Sequence, residues 1–177
     1  MGFKTHYQLL ASYNQRMNQQ VYAASSKLDK TAIEKDAGAY FGSVIGSLNH
    51  IMVGDLFWLT RFREHSERYK ALYKLEFYPL PVSLNQILYD NLEALGKARS
   101  EIDNIVIDWI SETKDSDFDE VFSYTNSKGK TFRKMFSSVV GHFFNHQTHH
   151  RGQVSTLLNQ FGEDVGVTDF IVDIPQE

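Results

Sequence analysis

Apolar residues recurring every three or four positions run through four long stretches of this chain, each ended by a polar or proline-bearing break. Phe3, Tyr7, Leu10, Met17, Val21 and Ala24, with Asn14 on the same stripe, predict a first helix over about 3–27. The polar segment SSKLDKTAIEKDAG separates it from a second helix over about 38–65. Pro79 and Pro81, in YPLP, forbid any continuation. Ser83 is a good N-cap for a third helix reaching about residue 112, with Leu84, Leu88, Leu92, Leu95, Ile102, Val106 and Trp109 on one face. The period then changes. DFDEVFSYT alternates with one slip and NSKGK is a turn signal, which predicts a hairpin over about 118–132. A fourth helix follows over about 133–160 and stops near Gly162. The remainder, EDVGVTDFIVDIPQE, is expected to pack through Phe170, Ile171 and Ile174. The prediction is an all-α chain: an up-down four-helix bundle, antiparallel throughout, with a short hairpin between helices three and four. At 177 residues, one domain over 1–177 is expected, long enough to bury a real core.

Charge and composition remove several classes of function. A formal net charge of −4 argues against nucleic acid as a partner. The basic cluster Lys128, Lys130, Arg133 and Lys134 flanks a turn signal and reads as a solvated turn ahead of a phosphate site. There is no cysteine, so disulfides, thiolate metal sites and cysteine nucleophiles are excluded. The start, MGFKTHYQLLASYNQ, lacks the apolar core of a signal peptide and a convincing myristoylation signal. No uncharged stretch is long enough to span a bilayer. A cytoplasmic protein without a membrane partner is the expectation.

The unusual feature is FNHQTHHRGQ, residues 144–153, which holds three of the seven histidines, with His142 just upstream. On a helix, positions i and i+4 lie one turn apart on one face, so His146 and His150 can reach one ion. His142 lies a further turn back and His149 is adjacent. An HxxxH pair alone is a weak signal, since histidines hydrogen-bonded to carbonyls share that spacing. A divalent ion needs a third ligand from another helix.

Helix two offers one. GSVIGSLNHIMVGDLFWL is apolar nearly all round, which marks it as buried on most sides. Gly42, Gly46, His50 and Gly54 fall at intervals of four, and each glycine within a helix costs about 1 kcal/mol relative to alanine. Close helix packing explains such a stripe, and so does space beside His50 for an ion and a bound molecule. The two readings are compatible. His50, His146 and His150 would then form a three-nitrogen site from two helices. No carboxylate is placed to join them, unlike the Glu-x-x-His of di-iron bundles. Three imidazoles with an open position suit zinc, with nickel as the alternative occupant. Asn49, Asp55, Asn145, Gln147 and Gln153 are candidates to orient the rings. Asp55 and Arg151 read as a buried structural pair, since each is costly to bury alone. Phe57, Phe143 and the stripe glycines either shape an apolar pocket or belong to the core.

SYNQRMNQQVY on helix one, GSLNHIMVGDLFWLTRF on helix two and HFFNHQTHHRGQVSTLL on helix four, followed by TDF, resemble the DinB-like (damage-inducible) metal-binding proteins. The likeness covers nearly the whole chain in matching order. It implies a homodimeric four-helix bundle with one divalent ion per chain on His50, His146 and His150, leaving His142 and His149 outside the ligand set. Trp58, Asp55 and Arg151 match positions that support such a site. Relatives in this family include thiol-dependent transferases and isomerases acting on small electrophiles. The functional expectation is therefore a metal-dependent transferase, moving a thiol onto a small electrophile, or a hydrolase-like enzyme. The alternative is a non-enzymatic metal-binding or stress-response protein with a structural ion. Lacking cysteine, the chain would take any thiol from a cosubstrate.

Overall fold

A computed structural model describes residues 2–126 and 128–176. Four long helices form the frame: α1 (Phe3–Ser25), α3 (Val44–His65), α4 (Leu92–Glu112) and α5 (Phe136–Gln160), with a one-turn helix, α2 (Lys30–Glu34), between the first two. Two strands, β1 (Val121–Thr125) and β2 (Thr131–Met135), pair as an antiparallel hairpin between α4 and α5. The all-α bundle with its hairpin is the fold the periodicity called for. No helix of the described residues is long and apolar enough to cross a membrane.

Cross-helix contacts fix the directions. Lys4 reaches the Ser111 carbonyl and Gln15 reaches Asn104, so α1 and α4 run antiparallel. His50 meets His150, and Trp58 meets His142, so α3 and α5 are antiparallel as well. Tyr7 donates to the Ser137 carbonyl and Asn14 meets Arg151, so α1 and α5 run parallel. Asp55 pairs with Arg99 and Phe62 stacks on Trp109, so α3 and α4 also run parallel. The order is up, down, down, up, which corrects the strict alternation expected. The reason is the long connection 66–91, which runs back along the bundle before α4 begins. Ala71 bonds Glu112, Lys74 pairs with Asp108 and Tyr78 bonds Glu101, so this strap climbs α4 in reverse.

Local capping explains where the helices depart from the predicted bounds. Helix two starts at Val44 rather than near 38. Ser43 caps it, its Oγ accepting from Gly46 N–H at 3.1 Å, and Gly42 sits before it at φ 75°, where a helix cannot run. Helix three starts at Leu92, not after Ser83. Asn91 is its cap, accepting from Ala94 N–H at 3.0 Å. Residues 82–91 find other partners: the Leu88 and Tyr89 N–H groups donate to Asn49 Oδ1 at 2.8 and 3.0 Å. The hairpin and α5 begin about three residues later than expected, because 115–119 forms a 3₁₀ turn. The tail is held by polar contacts more than by apolar ones. Arg16 pairs with Asp173 at 2.6 Å and Tyr13 donates to the Thr168 carbonyl, while Ile171 is 70% exposed. Only Phe170 packs as expected, edge-on to Tyr13.

The core has two halves. Near the hairpin it is aromatic, with Phe62, Trp109, Phe122, Phe136 and Phe143 buried together. Nearer the middle it is ionic. Asp55 pairs with Arg99, Arg99 with Asp103 at 2.9 Å, Asn18 donates to Asp103, and Arg151 donates to Asn14. Two guanidiniums and two carboxylates balance, and all four long helices contribute. The pairing expected between Asp55 and Arg151 is corrected: Arg99 takes Asp55, while Arg151 turns to Asn14 and Gln147. Every residue from Ser43 to Leu56 is buried, so α3 is the central rod on which the site is built.

Candidate metal centre

His50 projects from the second turn of α3, and His146 and His150 project from α5 one turn apart. One ring nitrogen of each lies within 4.8 Å of one from the other two, a grouping that could hold a metal ion. The hydrogen bonds of the rings decide which nitrogens those are. His50 Nδ1 lies 2.8 Å from the Leu84 carbonyl, which can only accept, so Nδ1 carries the proton and Nε2 presents a lone pair. His150 Nδ1 lies 2.8 Å from Gln153 Oε1, which leaves its Nε2 as a lone pair too. These two Nε2 atoms face each other at 3.1 Å. Two lone pairs at that distance repel unless a cation lies between them. In a tetrahedral zinc site, with Zn–N of 2.0–2.1 Å, two nitrogens are about 3.3 Å apart.

A proton could supply that cation, but burial opposes it. Desolvation lowers the pKa of His50 and His150, and it pushes His146 down to about 3 with help from its neighbouring imidazoles. The site thus keeps its rings neutral, the form in which imidazole binds metal. Phe41 stacks on the His50 ring at 3.6 Å and shields that face from water. Gly54 leaves room on the other side: a Cβ there would lie 2.6 Å from His146 Cε1.

Two clefts open onto the triad. One, of about 820 Å³, is lined by Tyr40, Phe41, Ile87 and His149. The other, of about 670 Å³, runs from His50 and His146 toward the hairpin, past Trp58, Arg61 and Tyr124. Both lie in the size range of small-molecule sites.

The DinB family model matches residues 1–176. The chain belongs to the DinB family. Protein DinB of Bacillus subtilis (strain 168) is 24% identical over 167 residues, covering 91% of this chain and 89% of that protein. No solved structure matches it.

Within this DinB-family fold the residues singled out in the sequence divide clearly. His50, His146 and His150 converge. His142 is exposed and sits edge-on to Trp58 at 5.3 Å, and His149 is exposed with its ring 3.3 Å from Gln153 Nε2. Of the candidate orienting groups, only Gln153 touches a triad ring. Asn49 ties the strap, Asn145 is exposed, Gln147 meets Arg151, and Asp55 faces Arg99. Gly42 leaves the stripe, lying in the turn before α3. Phe57 lines the second cleft, whereas Phe143 is core. The basic cluster is exposed on the hairpin. The Leu84 carbonyl and Phe41 complete the site beyond what the sequence indicates. A carbonyl carries no residue signature, and Phe41 lies in a stretch read as helix.

Proposed function

We propose that this protein holds one divalent ion on His50, His146 and His150, zinc before nickel. It would use that ion to transfer a thiol onto a small electrophile or to run a hydrolase-like reaction. The observation that carries the reading is the facing pair of Nε2 lone pairs at 3.1 Å, each fixed by a hydrogen bond on the opposite nitrogen. A bound ion with three protein ligands keeps a position for water or thiol and lowers that ligand's pKa. The chain's own residues do the rest. Leu84 and Gln153 orient the rings, Phe41 excludes water, and the two clefts admit reactants from either side. With no cysteine in the chain, the thiol comes from a cosubstrate. The family resemblance supports a homodimer as the working assembly.

Protein purified without a tag should carry close to one divalent ion per chain by elemental analysis. His50→Ala and His146→Ala should lose it, while His142→Ala should keep it. A folded protein that takes up neither zinc nor nickel would refute the site. One observation favours the second reading, a non-enzymatic metal-binding protein: no carboxylate lines either cleft among the described residues, so none is placed there to act as a general acid or base. Cobalt-substituted protein separates the two. A visible spectrum that shifts on adding a small thiol supports the enzyme, and a spectrum indifferent to thiols supports the structural ion.

A further inference from the structure

The second cleft has a property that neither the histidines nor the fold requires. Arg61 lies on α3 two turns beyond Gly54, about 11 Å along the helix axis, so it stands at the far end of the cleft from His146. Its guanidinium carbon sits 5.0 Å from the Trp58 ring centroid, 5.5 Å from Tyr124 and 5.8 Å from Phe57. Arg16, Arg68 and Arg99 each pair with a carboxylate. Arg61 pairs with none among the described residues, and Glu64, the acid that acts on it through space, is exposed on the next turn.

The absence of acid extends to the whole cleft. The chain has 22 acidic residues against 18 lysines and arginines, yet no Asp or Glu lines this cavity among the described residues. The rings of Phe57, Trp58, Tyr124 and Phe132 line this space, Tyr124 and Phe132 stacked on each other, and flat apolar groups pack well against such faces. Cation–π contact steadies a guanidinium but leaves its N–H fork without acceptors. Partial burial among the rings also lowers the Arg61 pKa, a cost that a bound anion would relieve.

We propose that this cleft binds a small organic carboxylate with a flat apolar body, and that Arg61 receives its carboxylate. The ligand's body lies between the rings, and its other end reaches toward the histidines. Substrate class thus follows from the proposed function only at that other end, because the carboxylate contact needs no metal. The competing explanation is that Arg61 merely pins the hairpin to α3 by stacking on Tyr124.

The test uses metal-free protein, treated with chelator and then dialysed clear of it, with phenylacetate and its neutral isostere phenylacetamide as probes. Trp58 lines the cleft and the other tryptophan, Trp109, is fully buried, so tryptophan emission reads occupancy. Phenylacetate should bind roughly tenfold or more tightly than phenylacetamide, as a charge-assisted fork demands. Arg61→Gln should bring the two probes to equal affinity while cobalt uptake stays at the wild-type level. Arg61→Lys, which keeps the charge, should retain part of the preference, and it serves should the glutamine variant not fold. Equal binding of both probes by the wild-type protein would overturn the proposal. So would a preference that survives in Arg61→Gln. If the histidines took up no cobalt but the acid-over-amide preference held, the metal reading would fail and this one would stand.

Discussion

At the residue scale, Gly54 shows how little separates a helix contact from a site. Alanine raises helix propensity by about 1 kcal/mol over glycine. Here its Cβ would lie 2.6 Å from His146 Cε1, so the ring must move. Gly54→Ala should therefore leave the metal-free protein at least as stable in a thermal melt while weakening cobalt binding by roughly tenfold or more. Unchanged cobalt affinity would show that His146 is not a ligand. Gly46 is a different case, since a Cβ there would meet the Phe41 carbonyl at 2.1 Å, and backbone yields at greater cost than a side chain. The glycine stripe was legible in the sequence as either close packing or space beside His50, and its members divide: Gly54 leaves room for His146, Gly46 for the backbone of Phe41, and Gly42 serves the turn before α3. The partners of the buried charges were not legible. Arg99 and Asp103 are four apart, the spacing of an ordinary surface ion pair, and nothing local says that they point inward. The signal that could have found them is the apolar stripe itself: Arg99 falls between Leu95 and Ile102, both wholly buried.

At the scale of elements, the strap from 66 to 91 decides whether the site is braced. Its prolines do break the helix, but Ser83, whose sequence suits an N-cap, starts none; α4 begins at Leu92. Tertiary partners outweighed that local preference. Asn49, wholly buried on α3, bonds the backbone of both Leu88 and Tyr89, and a few residues upstream the Leu84 carbonyl receives His50 Nδ1–H. A backbone segment satisfied by side chains of another helix has no need of a ladder of its own. Asn49→Ala would leave the Leu88 and Tyr89 groups without these partners, a loss of about 2–4 kcal/mol. It should lower the denaturant midpoint accordingly. Because the freed strap no longer holds the Leu84 carbonyl against His50, cobalt affinity should fall as well, by about 10- to 100-fold. Lost stability with full cobalt affinity would show that the strap does not orient the ligand.

At the scale of the molecule, histidines buried wholly or in part make the metal-free fold sensitive to acid. Burial lowers the pKa of His50, His65, His146 and His150 below the ordinary value, despite Glu120 beside His65. The unfolded chain takes up protons on these rings near pH 6.5 and the folded chain does not. Stability from this source is therefore complete above about pH 6.5 and is lost as pH falls below it. Asp55 and Asp103 work in the opposite sense. Burial raises both, Asp55 to about 6, so the folded chain binds those protons first and is favoured as pH drops toward the ordinary carboxylate range. Arg99 opposes this rise by holding both carboxylates ionised. Four groups stand against two, and the histidine window opens first. The melting temperature of metal-free protein should accordingly fall as pH is taken from about 7.5 to about 5.5, and His146→Ala should show a shallower fall. Zinc should raise the melting temperature at the upper pH and lose that effect toward the lower, because protons then compete for its ligands. A metal-free melting temperature flat or rising across that range would mean that the rings are not held neutral by the fold, and the facing lone pairs would lose their significance with it.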